Sequence, residues 1–152
     1  MAILKADNAA LRSNSPSNKI DVTDQHARMR VFRDEITLSA ELGAGDEIEF
    51  GGELFKGCKI HEVVLDTPIL DTTSTDINVG FRANGSLSED EDAFLDGVDA
   101  VSAKISKMSS TQGLAGQYLE LEGDTQIFLT SVAATDAASG KKIQLAVYYT
   151  VD

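Results

Sequence analysis

Residues 143–151, Ile143-Gln-Leu-Ala-Val-Tyr-Tyr-Thr-Val151, carry the clearest structural pattern in the chain. Apolar side chains stand at every second position, and Gln, Ala, Tyr and Thr fill the positions between them. Successive residues of a β-strand point to opposite sides, so this alternation predicts a strand with one buried face. A loop of small residues, 133–140, precedes it, and the preceding segment, 124–132, also has strand character. The two segments together predict a terminal hairpin.

Shorter segments of the same kind lie upstream, separated by turn residues such as Gly43–Asp46 and Asn84-Gly85. Gly51-Gly52 is expected to end the strand that begins at Glu47. Seven or eight short strands without β-α-β alternation indicate an antiparallel sandwich or barrel. Besides the two segments above, the predicted strands span residues 29–38, 47–50, 58–65, 77–81 and 118–121.

Residues 88–108 show a different period. Apolar residues recur at helical spacing from Phe94 onward, acidic residues crowd the start of the segment, and Lys104 and Lys107 lie near its end. Ser88 and Glu91 have the spacing of a capping box. The segment therefore predicts one short helical insert, which Gly97 would weaken or interrupt.

The composition limits the function. The chain has 152 residues, of which 42% are hydrophobic, enough for one domain with a real core. It carries 13 basic against 25 acidic residues, a net charge of −12, which disfavours a nucleic-acid partner. No apolar run approaches the length of a membrane span, and no secretory leader is recognisable. With Cys58 as its one cysteine the chain forms no internal disulfide, and synthesis in a reducing compartment is expected.

The charge is divided unevenly along the chain. Residues 1–33 carry six basic and three acidic residues, a net charge of +3, whereas residues 34–152 carry seven and 22, a net charge of −15. Residues 6–27 also lack apolar periodicity and contain a turn-forming cluster of Ser, Asn and Pro. We therefore predict an extended N-terminal arm over residues 1–27 and a β-sandwich domain over residues 28–152.

The sequence does not match the common motifs for catalysis and ligand binding. The chain has neither a phosphate-binding glycine loop nor a Gly-x-Ser-x-Gly motif, and His26 and His61 lie far apart in sequence. Cys58 starts a predicted strand and is expected to be a small buried apolar residue. The acidic run at residues 89–92 departs from the calcium-loop pattern, because hydrophobic residues occupy ligand positions. No catalytic residue, metal site or cofactor is predicted, and an enzyme is poorly supported.

Four stretches nevertheless carry a resemblance. The Gly-Asp strand and connector in residues 45–65, Ile77-Asn-Val-Gly-Phe81, Asp92-Ala-Phe-Leu95 and the closing segment 125–151 are similar to elements of head decoration (cement) proteins of tailed bacteriophages. The resemblance covers about residues 43–151 and carries no catalytic motif. It implies a jelly-roll-like antiparallel sandwich on the outer capsid surface of the virion. It further implies a homodimer or homotrimer that bridges subunits of the major capsid protein and is made in the cytoplasm of a host bacterium.

Two other readings remain beside this one. The chain could be another virion β-module, such as a fibre, tail or baseplate component, or a carbohydrate-binding jelly roll. The absence of Trp counts against the second. No nucleic-acid or membrane partner is expected. If the chain decorates a capsid, we expect the basic leader, within residues 1–33, to contact the coat. The candidate contact residues are Arg12, Lys19, Arg28 and Arg30.

Overall fold

A computed structural model describes residues 28–111 and 113–151, so the predicted arm over residues 1–27 lies outside the described residues. Nearly all regular structure in the described part is β-strand, and a single 3₁₀ turn, Met108–Ser110, follows the sixth strand. The strands are β1 (Met29–Thr37), β2 (Glu47–Leu54), β3 (Cys58–Thr67), β4 (Asp76–Phe81), β5 (Asp90–Asp99), β6 (Lys104–Lys107), β7 (Thr125–Ser131) and β8 (Lys142–Val151).

The strands form two four-stranded antiparallel sheets. Sheet A has the order β1-β8-β3-β6, and sheet B has the order β2-β7-β4-β5. The first strand therefore pairs with the last, the second with the seventh, the third with the sixth and the fourth with the fifth. This nested pairing is that of a jelly roll. The predicted all-β, jelly-roll-like antiparallel sandwich is confirmed.

The core lies between the two sheets. Along β8, Ile143, Leu145 and Val147 are fully buried and the residues between them are not, as the alternation predicts. Sheet B faces them with residues such as Ile77 and Val79, and the ring centroids of its Phe81 and Phe94 lie 5.7 Å apart. Each fully buried side chain of this size stabilises the fold by about 1.5–3 kcal/mol relative to exposure.

The helix predicted over residues 88–108 is wrong. These residues form β5 and β6, which belong to different sheets. The register between β4 and β5 shifts twice, and Ala93, Phe94 and Leu95 are all buried in succession. A bulged strand loses its period of two, and three consecutive apolar residues followed by Val98 imitate a helical stripe.

The predicted terminal hairpin is also wrong, because β7 lies in sheet B and β8 in sheet A. Gly51-Gly52 does not end β2, which continues to Leu54 across a register shift. Residues 118–121 form one isolated bridge, Lys59 to Glu120, rather than a strand. In each case the local pattern is real, but long-range pairing decides which elements become neighbours.

Gly80 lies where β5 crosses β4 most closely. The register pairs Val79 with Leu95 and Phe81 with Asp90, so residues 91–94 lie opposite Gly80 alone. A Cβ atom at Gly80 would stand 1.8 Å from the backbone oxygen of Asp90. Only glycine fits this position unless the two strands separate.

We expect Gly80→Ala to lower the free energy of unfolding by about 3 kcal/mol, because the backbone of β5 cannot move without opening sheet B. Chemical denaturation monitored by circular dichroism measures this change. Gly97→Ala is the matched control, since Gly97 has a φ of 62° and a Cβ there meets none of the described atoms within 4 Å. It should cost about 1 kcal/mol, and equal losses for the two variants would contradict the steric explanation.

Candidate interaction surface

The outer face of sheet A carries an open, partly apolar surface. Val64 of β3 and Ala146 of β8 are paired and half-buried at its centre, and Arg33 of β1 pairs with Ala146 from the other side. These residues floor a groove of about 510 Å³ whose wall includes Ile105 of β6, 62% exposed. The groove is therefore an accessible, partly apolar surface of sheet A.

Glu35 forms a polar, charged part of the wall of this groove. Its carboxylate accepts hydrogen bonds from Lys142 Nζ at 2.9 Å and from Gln144 Nε2 at 2.7 Å. The hydrogen bond from Lys142 is the main cause of a lowered pKa for Glu35, and the bond from Gln144 adds to it. Glu35 therefore stays charged at neutral pH, and the groove combines an apolar floor with fixed charges along one wall.

The structure places two of the four predicted contact residues. Arg28 and Arg30 are exposed at the start of β1, an edge strand of sheet A. The positive charge of Arg30 acts on the thiol of Cys58, against the burial that raises the pKa of that thiol. Arg12 and Lys19 lie outside the described residues. Arg28 and Arg30 thus adjoin the sheet A surface, and their role in binding stays a prediction.

The residues with reactive side chains do not form a site within the described part of the chain. Cys58 is fully buried, and burial raises the pKa of its thiol, so little thiolate is present. His61 Nε2 lies 2.9 Å from Thr150 Oγ1, and the His61 ring makes an edge contact with Tyr118 at 6.0 Å. Among residues 28–111 and 113–151, no three His, Cys, Asp or Glu side chains are grouped to hold a metal ion. The same residues contain no helix long and apolar enough to cross a membrane.

On the outer face of sheet B, in contrast, a charged side chain covers an aromatic ring. The Arg82 guanidinium lies 4.0 Å above the ring centroid of Phe128, which is fully buried although it points away from the core. Arg82 also donates to Glu47 at 2.6 Å and to Glu49 at 2.8 Å, and these bonds raise its pKa further above the physiological range. Sequence reasoning missed this cluster, because residues 47, 82 and 128 meet only through the order of strands in sheet B.

A polar network ties the loops at one end of the sandwich. Asp71 Oδ2 accepts hydrogen bonds from Thr75 Oγ1 at 2.8 Å and from Thr73 Oγ1 at 3.1 Å, and Asp71 is almost fully buried. The hydrogen bond from Thr75 is the main cause of a pKa lowered to about 2. A nearby carboxylate, Glu41, accepts the backbone N–H groups of Ala138 and Ser139. Each partner is an internal loop group, so the network has a structural role.

Comparison with known proteins gives similarity in fold. No protein-family model matches the chain, and no curated protein matches it. A solved chain from the capsid of Ralstonia phage GP4 superimposes with a TM-score of 0.66 at 21% identity, covering 84% of this chain and 88% of that one. A chain from the capsid asymmetric unit of cyanophage Pam1 gives a TM-score of 0.67 at 16% identity, covering 91% and 97%. The sandwich is therefore a fold that occurs in phage capsids.

We expect Asp71→Asn to lower Tm by several degrees at pH 7 and to have little effect at pH 2. The pKa of Asp71 is lowered on folding, so its contribution is present above the ordinary value of 3.8 and is lost as the pH falls through about 2. Thermal denaturation of both proteins between pH 7 and pH 2 measures the change. Asp96→Asn, at an exposed position of β5, is the control, and a pH-independent loss in Asp71→Asn would contradict the assignment.

Proposed function

We propose that the protein is a structural component of a tailed-phage virion that binds the outer surface of the major capsid protein shell as a decoration, or cement, protein and stabilises that shell. It would be made in the cytoplasm of the host bacterium and act as a homo-oligomer without cofactor or catalysis. The observation that carries the proposal is the likeness to chains of two phage capsids, which extends over most of both partners. The likeness supports a structural role in a virion.

The distribution of charge fits a position on the outside of a particle. The net charge of −15 over residues 34–152 would favour the solubility of such a subunit and disfavour retention of DNA. The basic residues of the leader are complementary to an acidic coat surface. Arg12, Lys19, Arg28 and Arg30 are the proposed contacts, and residues 1–27 would lie across neighbouring coat subunits, for example by adding a strand to a sheet edge.

The binding energy would come from many modest contacts. A decoration subunit has no substrate to enclose, and the described part of the chain offers open surface on sheet A rather than a deep polar cleft. Repetition over a shell converts weak contacts into stable occupancy, since each oligomer engages several coat subunits at once. A rigid sandwich with a basic leader satisfies these requirements.

Copy number per virion tests the proposal. We expect hundreds of copies on each particle, because a decoration protein repeats with the coat lattice. Quantitative mass spectrometry of purified virions, normalised to the major capsid protein, gives this number. Six to a few dozen copies would assign the chain to a tail, fibre or baseplate, and absence from the particle would contradict a virion role.

Deleting residues 1–27 should release the protein from shells. Purified shells lacking the protein are incubated with either the full chain or the shortened chain, and occupancy is read by gel densitometry after sedimentation. We expect at least a tenfold loss of occupancy, because the deletion removes Arg12 and Lys19 together with the extended contact.

A companion experiment measures the occupancy of the full chain on shells at rising salt concentration. Exposed charge contacts are screened over about 8 Å at physiological ionic strength, so occupancy should fall as salt increases. Circular dichroism of the shortened chain shows whether the sandwich is intact. Unchanged occupancy after deletion would show that the leader is not the anchor, and occupancy independent of salt would remove the electrostatic part of the proposal.

A further inference from the structure

The two sheets leave four strand edges. β1 and β6 are the edges of sheet A, and β2 and β5 are the edges of sheet B. Within the described residues each of these strands pairs with one neighbour, so its other side presents backbone N–H and C=O groups without a strand partner. Such an edge is a template for pairing with another chain, and proteins usually obstruct it.

Three of the four edges are obstructed. β2 has a register shift that interrupts its pairing, and its Glu47 and Glu49 are held by Arg82 on the outer face of sheet B. β5 begins with Asp90, Glu91 and Asp92, and its register shifts twice. β6 has only four residues. Repeated acidic side chains repel a second copy, bulges bend the edge, and a short strand offers few hydrogen bonds.

The β1 edge lacks these features. Its nine residues, Met29–Thr37, pair with β8 in one unbroken register. Two apolar side chains stand exposed on it, Met29 at 57% and Val31 at 47%, and Phe32 is half-buried on the core-facing side. β1 is thus the long, regular and partly apolar edge of the described sandwich.

The charges of β1 are complementary to a reversed copy of β1. Arg28, Arg30 and Arg33 lie in its first part and just before it, and Asp34 and Glu35 follow. Arg30 and Asp34 share a face, because they are four residues apart on one strand. Asp34 Oδ1 accepts the edge-facing backbone N–H of Glu35 at 2.8 Å, and pairing with a second copy would replace this bond by one to the facing strand.

We propose that β1 pairs antiparallel with β1 of a second copy about a two-fold axis through Phe32, which joins the two A sheets into one continuous sheet. In this register Arg30 of each copy lies opposite Asp34 of the other, and the two Phe32 side chains face each other. Opposed side chains in such a ladder have Cβ atoms about 4.5–5.5 Å apart, within reach of an ion pair. The occupant of this edge is therefore a second copy of this chain.

Other registers fit less well. Opposed residues of an antiparallel pair point to the same side of the sheet, so core-facing residues of one copy must lie opposite core-facing residues of the other. This requires the two-fold axis to pass through a residue rather than between two. Centring on Arg33 or on Asp34 places like charges directly opposite each other, which destabilises the pair. Centring on Val31 shortens the overlap. Phe32 is the centre that combines a long overlap with opposite charges.

This inference deepens the homo-oligomer of the proposed function, and it assigns Arg30 to the second copy rather than to the coat. Arg12, Lys19 and Arg28 then remain as the proposed coat contacts. Both partners of the Arg30–Asp34 contact lie on this chain, so self-association can be measured without capsids. A failure here leaves copy number and shell occupancy unaffected, and the two proposals are separately testable.

Sedimentation equilibrium of the full chain tests the pairing. We expect a species of twice 16.2 kDa and a dissociation constant that rises roughly tenfold to a hundredfold in Arg30→Asp and in Asp34→Arg, because each change places two like-charged pairs across the axis. The double variant, R30D with D34R, exchanges the two charges and should restore the dimer. Lys107→Asp, the same charge reversal on the opposite edge of sheet A, should leave it intact.

A monomer at every concentration, a trimer, or a double variant as weak as the single ones would overturn the proposal. Hydrogen exchange of the unaltered chain provides a measurement that needs no variant. The edge-facing amides of β1, such as those of Val31 and Arg33, should become protected as the protein concentration rises, while those of β5 and β6 should not change. Protection that does not depend on concentration, or that increases at β5 or β6, would also overturn the pairing.

Discussion

Strand β8 is hydrogen-bonded on both sides along almost its whole length, to β1 and to β3. The chain cannot complete sheet A until its last described strand has entered between two strands from its first half. Ile143, Leu145 and Val147 of β8 are fully buried, so the same strand also supplies the centre of the core. The other pairings nest inside this one in sequence order: β2 pairs with β7, β3 with β6 and β4 with β5.

This constraint has consequences for the whole molecule. Pairings between residues far apart in sequence are slow to form, since loop closure costs entropy before contacts compensate for it. Once these pairings have formed, hydrogen bonds between strands hold both sheets. The loops between the strands need hydrogen bonds of their own. Asp71 and Glu41 supply them by accepting hydrogen bonds from loop hydroxyl and backbone groups. The sandwich is therefore suited to present surfaces.

The sequence predicted the strands that have one apolar face, and β8 is the clearest of them. It failed for β5, where a bulge places Ala93, Phe94 and Leu95 in the core together. It also failed for sheet membership: β7 and β8 are consecutive, yet their hydrogen-bond partners lie in different sheets. Alternation reports which face of a strand is buried, but it carries no information on which distant strand will pair with it.

The candidate surface was predictable to a similar degree. Uneven charge directed attention to Arg28 and Arg30, and both are exposed at the start of an edge strand. The groove between Arg33, Val64 and Ile105 was not predictable, because these residues share a face only after β1, β8, β3 and β6 are aligned. Arg82 shows the same limit, since the sequence does not indicate that it covers Phe128.

Edge protection connects the charge of the chain with its assembly. A sandwich with four edges must limit unwanted pairing, and the acidic side chains at the start of β5 favour this while contributing to the net charge of −12. β1 departs from this pattern, because basic residues precede acidic ones along a regular strand. Opposite charges in sequence order are self-complementary only when the strand is reversed, so the same residues that would repel a parallel copy attract an antiparallel one.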